Sequence, residues 1–453
     1  MSQPKLDLED PVVPAAPTLP VRTLLAYGGP IFGVAYLLFF VQFYFLKFAA
    51  DVLLLPPAIV GGVFALAKLW DAVSNPIVGS WSDRSRSRFG RRRPFLLAAL
   101  PLLVASFVML WSPPEALHDR ALVIWSAVAL FAFHAAFALY TIPHFALGAE
   151  LSPDSHQRTR LFGVRQMSFT VGILLSFGAM QFAMNADAPR TATASLAIPT
   201  AIVAALILAV TPLAVREPLR AGVAGGRSMI SGLRDVWANL PARTLLIVWF
   251  IENAGVGAVG TMAPFIAEYL LKRPDVVGSL PATYVVAGIV SIPLWVRLSR
   301  SYGKRQTWLA AMLLAAASFG GMTFVGPGDL TYVMFLLAVA GAAMGCGSVL
   351  GAALLADVID LDEERTGERK EGVYAASMNF ALKIGVAAAT AASGFVLSAA
   401  GFAPNAGQSA ESLLGMRVLF GAMPCAGFLI GAAIFWRSAF GERWSRAVVP
   451  EST

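Results

Sequence analysis

Long apolar runs separated by short polar connections form the hydrophobicity pattern of this chain. Each run is about 20 residues or longer, which is the length that a helix needs to cross the hydrocarbon core of a bilayer. The pattern therefore predicts an all-α polytopic membrane protein with twelve transmembrane helices. The predicted spans are 24–50, 58–82, 94–112, 121–148, 161–186, 195–214, 244–271, 278–299, 306–325, 331–358, 372–400 and 411–438.

Composition excludes a soluble globular protein. The chain has 453 residues, of which 57% are hydrophobic and 13% charged, whereas about 25% of residues are charged in a soluble domain. The net charge is +7, but the basic residues lie in the short connections between spans, so they indicate orientation and not nucleic-acid binding. The two cysteines, Cys346 and Cys425, lie inside apolar runs and form neither a disulfide framework nor a metal site.

The basic residues are concentrated in every second connection between the spans, and this bias sets the predicted orientation. The connection between spans two and three alone contains Arg84, Arg86, Arg88, Arg91, Arg92 and Arg93. By the positive-inside rule these connections are cytoplasmic. An even number of spans then places both termini in the cytoplasm, in a protein integral to the inner membrane.

A short sequence that occurs once in each half of the chain, which we call the echo, predicts two parallel halves of six helices. Gly90-Arg91-Arg92 and Gly303-Lys304-Arg305 both lie between the second and third span of their half, although such a sequence is also an ordinary cytoplasmic turn. Pseudo-symmetric halves place a site between them near mid-membrane. The predicted divisions are a disordered cytoplasmic tail (1–23), an N-terminal bundle (24–214), a cytoplasmic linker (215–243), a C-terminal bundle (244–438) and a second cytoplasmic tail (439–453).

The most specific motif covers the second span and the connection that follows it. It contains Trp70-Asp71-Ala72-Val73-Ser74-Asn75-Pro76 and, further on, Ser82-Asp83-Arg84 and Gly90-Arg91-Arg92-Arg93-Pro94. Ile142-Pro143 in span four and Ala356-Asp357-Val358-Ile359-Asp360 in span ten agree with it. These segments resemble the glycoside-pentoside-hexuronide cation symporters, the melibiose-permease-like group of the major facilitator superfamily. The resemblance implies the major facilitator fold and sodium-, lithium- or proton-coupled uptake of a solute.

Asp71 is the carboxylate at which the resemblance implies cation binding. It lies about 20 Å of helix from the outer end of its span, and a carboxylate at this depth costs about 2.5–3.5 kcal/mol to insert and is functional by default. Ser74 and Asn75 share its helical face. Lys383 in span eleven matches a family lysine that faces the cation site, and Asp71 is its expected partner. The alternative is an ion pair of Asp71 with Lys68 or Lys383 that only fixes helix packing.

The coupling ion is expected to be a proton or sodium, and no other cofactor or metal is expected. The resemblance implies that sodium-using members need two carboxylates one turn apart on span two, whereas this chain has Asp71 and Asn75. Amide and hydroxyl oxygens still coordinate hard cations, but a lone buried carboxylate beside a lysine favours proton coupling. The predicted cation or proton site is Asp71, Ser74, Asn75 and Lys383; uncoupled movement is the alternative.

Solute binding must differ from that of the galactoside-type members, because Ala35 and Thr141 stand where those members have acids. Arg165 matches an arginine that resembles a sugar-contacting residue in the relatives. A guanidinium suits this role because it binds hydroxyl pairs or anions bidentately. The alternative is that the Arg165 side chain only snorkels to the membrane interface. Glu252 is a second carboxylate in the membrane that can bind a cationic group, pair with Arg165 or Lys383, or relay protons. The predicted solute-binding residues are Tyr27, Tyr140, Thr141, Arg165, Glu252, Asn253, Asn379 and Lys383.

Charged residues in the cytoplasmic connections have the signs needed for ion pairs between the halves. Such pairs would form when the inside closes and would bias alternating access without touching solute. The predicted gating residues are Asp83, Arg84, Arg91, Asp357, Asp360 and Glu363. Orientation of the chain by the positive-inside rule is the parallel interpretation.

Two transport functions remain after other classes are excluded. The sequence contains no Walker A motif, no HExxH motif and no ligand-spaced acidic or histidine cluster, so we expect no enzyme activity. The first function is cation-coupled symport of a glycoside or related sugar by alternating access. The second is symport of an amphipathic or lysolipid-like solute, for which Phe39, Phe40, Phe43 and Phe45 would line the cavity; a sensor on the same fold is a third class. The expected partners are a small-molecule solute, a coupling cation and the lipid bilayer, with no nucleic acid, and the protein is expected to be a monomer.

Overall fold

The computed structural model describes residues 19–152, 154–217, 234, 236–367 and 370–438. Within these residues the chain forms twelve long helices, as the hydrophobic pattern predicts. Their bounds are Val21–Asp51 (α1), Pro57–Arg84 (α2), Arg93–Trp111 (α3), Asp119–Glu150 (α4), Ser155–Met184 (α5), Pro189–Ala214 (α6), Leu240–Leu270 (α7), Ser279–Tyr302 (α8), Lys304–Met322 (α9), Leu330–Thr366 (α10), Glu371–Ala399 (α11) and Ala410–Arg437 (α12).

Eleven of these helices are long and apolar enough to cross a membrane. The exception is α9, which begins with the polar residues Lys304, Arg305 and Gln306. Large apolar side chains are exposed on the outside of the bundle, including Leu206, Val290 and Phe335. An exposed apolar surface of this extent fits contact with lipid, and helices are favoured there because each satisfies its own backbone hydrogen bonds.

Proline and glycine set several helix bounds. Pro57 and Pro94 lie in the first turn of α2 and α3, where the missing N–H group has no partner to lose. Helix α1 is interrupted between Gly28 and Ile31, at Gly29 and Pro30, because Pro30 cannot donate to the preceding turn. Helix α10 runs beyond its predicted end at residue 358 and stops at Gly367, whose φ of 67° is left-handed.

The two halves repeat the same packing scheme. In the first half, α1 packs against α5 and α6, α4 packs against α2 and α3, and α3 packs against α6. In the second half, α7 packs against α11 and α12, α10 packs against α8 and α9, and α9 packs against α12. The two glycines of the sequence echo also share a backbone feature, since φ is 106° at Gly90 and 82° at Gly303. The predicted pseudo-symmetric fold is therefore confirmed.

The predicted divisions of the chain are only partly described. Residues 1–18, most of the linker 215–243 and the tail 439–453 lie outside the described residues. Of the predicted N-terminal tail, residues 21–23 already belong to helix α1. The halves contact each other through α2 and α11, α1 and α7, and α5 and α8.

Candidate functional site

An ion pair joins the two halves in the middle of the bundle. Nζ of Lys383 on α11 lies 2.8 Å from Oδ2 of Asp71 on α2, and the two side chains are 17% and 3% exposed. Asp71 lies about 20 Å of helix from either end of α2. The predicted partnership of Asp71 and Lys383 is therefore present, and it lies at the depth where a charge is most costly to keep.

Polar groups of α2 complete this site. With its amide oxygen turned toward Lys383, Asn75 accepts a hydrogen bond from the ammonium and donates to the carbonyl oxygen of Asp71 at 3.0 Å. The hydroxyl of Ser74 donates to the same carbonyl oxygen at 3.1 Å, so its proton is directed into its own helix. The structure thus brings together all four residues of the predicted cation or proton site on one helical face of α2 and the facing side of α11.

Two further titratable groups border the ion pair, of which the sequence interpretation considered Lys68 only as an alternative ion-pair partner of Asp71. Lys68 is buried one turn before Asp71, within electrostatic range of both Asp71 and Lys383, and its ammonium lies 5.7 Å from the centre of the Phe64 ring. His134 on α4 is fully buried beside the same lysines, and neither ring nitrogen has a hydrogen-bond partner among the described residues. The i, i+3 spacing of Lys68 and Asp71 is a sequence signal for the first, but only packing brings His134 there.

The predicted solute-binding tyrosines are engaged inside the first half. The hydroxyl of Tyr27 donates to the carbonyl oxygen of His144 at 3.1 Å, and that of Tyr140 donates to the carbonyl oxygen of Leu208 at 2.9 Å. Both side chains are fully buried. In this conformation they join α1, α4 and α6 and present no hydroxyl to a solute, which differs from the predicted role. Thr141, at the same level, donates to the carbonyl oxygen of Phe137.

Arg165 lies in the first half, against α1 and α4. Its guanidinium is 5.6 Å from the centre of the Phe145 ring, and its Nε is buried without a hydrogen-bond partner among the described residues. Its backbone nitrogen lies against Gly28, where an added Cβ would be 2.8 Å away. No described residue forms an ion pair with Arg165, so this cation remains available to a solute that carries hydroxyl or anionic groups.

Glu252 and the two asparagines do not join the mid-membrane pair. Oε1 of Glu252 accepts a hydrogen bond from the indole Nε1 of Trp308 at 2.8 Å, so the predicted pairing with Arg165 or Lys383 is absent. The amides of Asn253 and Asn379 each donate to a carbonyl oxygen one turn earlier in their own helix. Asn379 is nevertheless exposed on α11, one turn from Lys383, where its amide oxygen is free to accept.

The phenylalanines that supported an amphipathic solute are packing residues. Phe40, Phe43 and Phe45 are 1%, 7% and 1% exposed. The rings of Phe40 and Phe45 contact Trp111 on α3, and that of Phe43 stacks on Phe177 of α5. Phe39 contacts Phe43 and Phe169. In this conformation Phe40, Phe43 and Phe45 are packed between helices, which differs from the predicted cavity lining, whereas Phe39 is half-buried.

The predicted gating residues lie on the basic face, which we define as the bundle end that contains Arg84, Arg91, Arg92 and Lys304. There Asp83, Arg91 and Asp357 pair within their own halves. Arg91 binds Glu150 at 2.9 Å, and Arg92 binds Asp83 at 2.5 Å and Glu150 at 2.8 Å. Burial disfavours the Arg92 charge, but its bonds to Glu150 and Asp83 outweigh this and raise the pKa of Arg92 above its ordinary value.

The second half uses the same arrangement. Nζ of Lys304, which follows the second glycine of the echo, binds both carboxylate oxygens of Asp357 on α10 at 2.9 and 2.7 Å. In each half, a basic residue after the glycine turn thus binds an acid on the fourth helix. Arg84 and Asp360 are exposed and Glu363 is half-buried. The predicted pairing of Asp83, Arg91 and Asp357 between halves is absent in this conformation.

The halves are instead joined by charged and polar groups on the opposite face, which we define as the bundle end that contains Asp51, Pro57 and Leu270. Lys47 of α1 binds Asp51 one turn later and Glu268 of α7, the latter at 2.6 Å. The Tyr269 hydroxyl donates to Asp51 at 2.6 Å, and the Asn405 amide donates to the Asp51 carbonyl oxygen at 2.8 Å. The sequence interpretation missed this cluster, although a lysine four residues before an aspartate in an apolar run was a signal.

Close helix contacts extend the junction on this face. Gly260 of α7 lies against the ring of Phe43, where an added Cβ would be 1.9 Å from the nearest ring carbon. Gly61 of α2 and Gly394 of α11 also touch, since a Cβ at Gly61 would lie 3.1 Å from the Gly394 Cα. Gln181 of α5 binds Gly278 and Pro274, which precede α8. Small residues allow this backbone approach, and together these contacts close the opposite face.

Known proteins agree with this architecture. A family model described as MFS/sugar transport protein matches residues 26–441. The inner membrane symporter YicJ of Escherichia coli strain K12 is 28% identical, with 87% of this chain and 86% of that protein covered. The isoprimeverose transporter of Lactiplantibacillus pentosus is 25% identical, with 86% and 83% covered.

A solved structure gives the same fold at low sequence identity. The bacterial homologue of the human lysosomal transporter Spinster, in its inward-facing and unoccupied conformation, has a TM-score of 0.70 at 15% identity, with 92% of this chain and 96% of that chain covered. At this identity the likeness shows the fold alone. The extent of the family match carries the assignment: the chain belongs to the MFS/sugar transport protein family of the major facilitator superfamily, whose members include the symporters that it matches.

Proposed function

We propose that this protein is a secondary active transporter that moves a glycoside or related sugar together with a cation by alternating access, and that Asp71 and Lys383 link the two events. The observation that carries the proposal is the ion pair between α2 of one half and α11 of the other, at 2.8 Å and in the middle of the bundle. A proton or sodium ion that binds Asp71 competes with Lys383 for the carboxylate. Cation binding therefore weakens a contact between the halves.

The same proposal gives the orientation and the conformation. The basic face is cytoplasmic, as the positive-inside rule requires, and both termini lie on that side of the inner membrane. The closed opposite face then faces outward. This conformation is open toward the cytoplasm, which is consistent with ion pairs that stay within each half on the basic face.

Proton coupling is the version that the site supports best. Two lysines, Lys68 and Lys383, lie beside the single carboxylate Asp71, and the second acidic position holds the neutral Asn75. A bound sodium ion would be close to two ammonium groups, and hard cations are held by oxygen ligands that carry or share negative charge. A proton that binds Asp71 neutralises the carboxylate and needs no further negatively charged ligand.

The solute class rests on the family and on the available cation Arg165. The isoprimeverose transporter among the relatives supports a sugar, and a guanidinium without an ion-pair partner fits hydroxyl pairs or the carboxylate of a uronide. The amphipathic solute has less structural support, because three of the four phenylalanines on which it rested, Phe40, Phe43 and Phe45, are buried.

The first experiment compares ligands on the purified protein. Thermal shifts are measured with isoprimeverose, methyl glucuronide and lysophosphatidylcholine, at two pH values and with or without sodium. A ligand at a hundred times its dissociation constant stabilises the protein by about 2.7 kcal/mol. A sugar shift that depends on pH and ignores sodium is expected. A shift with the lysolipid alone would contradict the sugar assignment, and a sugar shift that requires sodium would contradict proton coupling.

Substitutions at the ion pair test the link to transport. With the sugar that shifts the wild type, Asp71→Asn and Lys383→Ala are expected to abolish accumulation in proteoliposomes, because breaking a buried pair by removing one partner costs about 3–5 kcal/mol. Asp275→Asn is the matched control, since that carboxylate is 53% exposed and pairs with Arg273 within one loop. Accumulation at the wild-type level in both site variants would contradict the proposed coupling pair.

A further inference from the structure

Glu252 is a buried carboxyl group that the proposed transport site does not use. It lies on α7 and is 2% exposed. Oε1 accepts the hydrogen bond from Trp308 on α9, whereas Oε2 has no hydrogen-bond partner among the described residues. Gly347 on α10 lies against the same carboxyl group, since a Cβ there would be 2.8 Å from Oε2. All of these contacts are inside the second half.

The titratable neighbours of Glu252 supply no positive charge. Tyr284 on α8 and Cys346 on α10 lie within electrostatic range of the carboxyl group. The Tyr284 hydroxyl has no hydrogen-bond partner among the described residues, and the Cys346 thiol donates to the Thr307 carbonyl oxygen at 3.8 Å. No described lysine, arginine or histidine forms an ion pair with Glu252. Within the part of the chain that the structure describes, the one hydrogen-bond donor to it from the neighbouring helices is the neutral indole of Trp308.

An ionised carboxylate in these surroundings would be costly. Removal of a charge from water costs several kcal/mol even after the protein relaxes, and one neutral hydrogen bond returns only part of that cost. The carboxylic acid avoids the penalty and fits the contacts, because Trp308 then donates to the carbonyl oxygen Oε1 while Oε2 holds the proton. Gly347 has no side chain, so the backbone of α10 can lie close to the carboxyl group.

We propose that Glu252 is a second proton-binding site, inside the C-terminal half and separate from Asp71 and Lys383, and that its proton exchanges during the transport cycle. The exchange rests on the proposed function. Helix α7 also carries Gly260 and Glu268, which contact the first half on the opposite face. Separation of the halves removes those contacts from α7, and a shift of α7 against α9 and α10 would then change the surroundings of Glu252.

Infrared spectroscopy of the purified protein tests proton binding without any solute. The wild type is expected to show the carbonyl stretch of a buried, protonated carboxylic acid at neutral pH. This band should be lost in Glu252→Gln and retained in Asp71→Asn. In Trp308→Phe the band should remain but shift, because the acid loses its hydrogen bond. A wild type without such a band, or a band that persists in Glu252→Gln, would overturn the assignment.

Transport distinguishes a proton site from a structural hydrogen-bond acceptor. Glu252→Gln keeps an oxygen that accepts from Trp308 but cannot exchange a proton, so we expect intact folding and a pH dependence of sugar accumulation that is weaker than in the wild type, because only Asp71 still exchanges a proton. A wild-type pH profile in this variant would overturn the exchange step. If the wild type itself moves no sugar, the proposed function fails while the infrared result still decides whether Glu252 holds a proton.

Discussion

On the opposite face, Lys47 of one half binds Glu268 of the other half, whereas on the basic face Lys304 binds Asp357 of its own half. The side chains of Lys47 and Glu268 are 3% and 33% exposed, and those of Lys304 and Asp357 are 43% and 21% exposed. A lysine–carboxylate pair is thus buried where it bridges the halves and more exposed where it stays within one half.

The comparison shows which charges control the relative position of the halves. A pair that bridges the halves must break whenever they separate, and its burial makes a lone partner costly. A pair within one half moves as a unit with that half and can remain intact throughout the cycle. Charged side chains of the same type therefore have different effects on transport, which substitutions on the two faces should separate.

The largest effect is expected for Lys47→Met. This change leaves Asp51 and Glu268 facing each other without the cation between them, and removal of one partner from a buried pair costs about 3–5 kcal/mol. The closed opposite face should therefore lose population by a factor of roughly a hundred to several thousand, since about 1.4 kcal/mol is a factor of ten. The measurement is maleimide labelling of a cysteine that replaces Phe43, in a chain with Cys346 and Cys425 changed to serine.

The control for this prediction is Arg273→Gln. Arg273 pairs with Asp275 on the same face, but both side chains are more than half exposed and lie in one loop. An exposed pair contributes about 0–1 kcal/mol, so labelling should stay at the unsubstituted level. Equal labelling in the Lys47 and Arg273 variants would contradict a bridging role for Lys47.

A smaller effect is expected for Gly260→Ala. The new methyl group overlaps the ring of Phe43, and overpacking costs about 1–3 kcal/mol. The cost applies only when the opposite face is closed, so initial rates of sugar uptake should fall by roughly tenfold. The double variant Gly260→Ala with Phe43→Ala removes the overlap and should recover most of the rate. A failure of this recovery would show that Gly260 acts through something other than the contact with Phe43.

The smallest effect is expected for Lys304→Met, the matched lysine change on the basic face. Its pair with Asp357 is partly exposed and stays within one half, so the loss of stability should be about 0–1 kcal/mol. A thermal melt should show a small decrease in Tm, and labelling of the opposite face should not change. Labelling as strong as that of Lys47→Met would remove the distinction between the two faces.

Local sequence was sufficient for the fold but not for every member of the site. Spans of apolar residues identify helices because lipid allows few other structures, and the charges of Asp71 and Lys383 are conspicuous inside such spans. His134 and Glu252 also lie inside spans, yet their surroundings depend on other helices: α2 and α11 for His134, and α8, α9 and α10 for Glu252. The different placement of Tyr27, Tyr140 and the phenylalanines in this conformation has the same origin, since an aromatic residue in a span can face a cavity or a neighbouring helix.

The sequence by itself determined the twelve helices, the repeat of two halves, the family, and the pair of opposite charges near mid-membrane. These properties follow from hydrophobic length, from short motifs and from the cost of charge in lipid, all of which act along one segment at a time. Only the tertiary structure decided which charges bridge the halves, which face is closed, and which carboxyl group is left without a cation. Those properties depend on how helices from both halves pack, so Arg91 and Lys47 receive their different roles from the partners that packing places beside them.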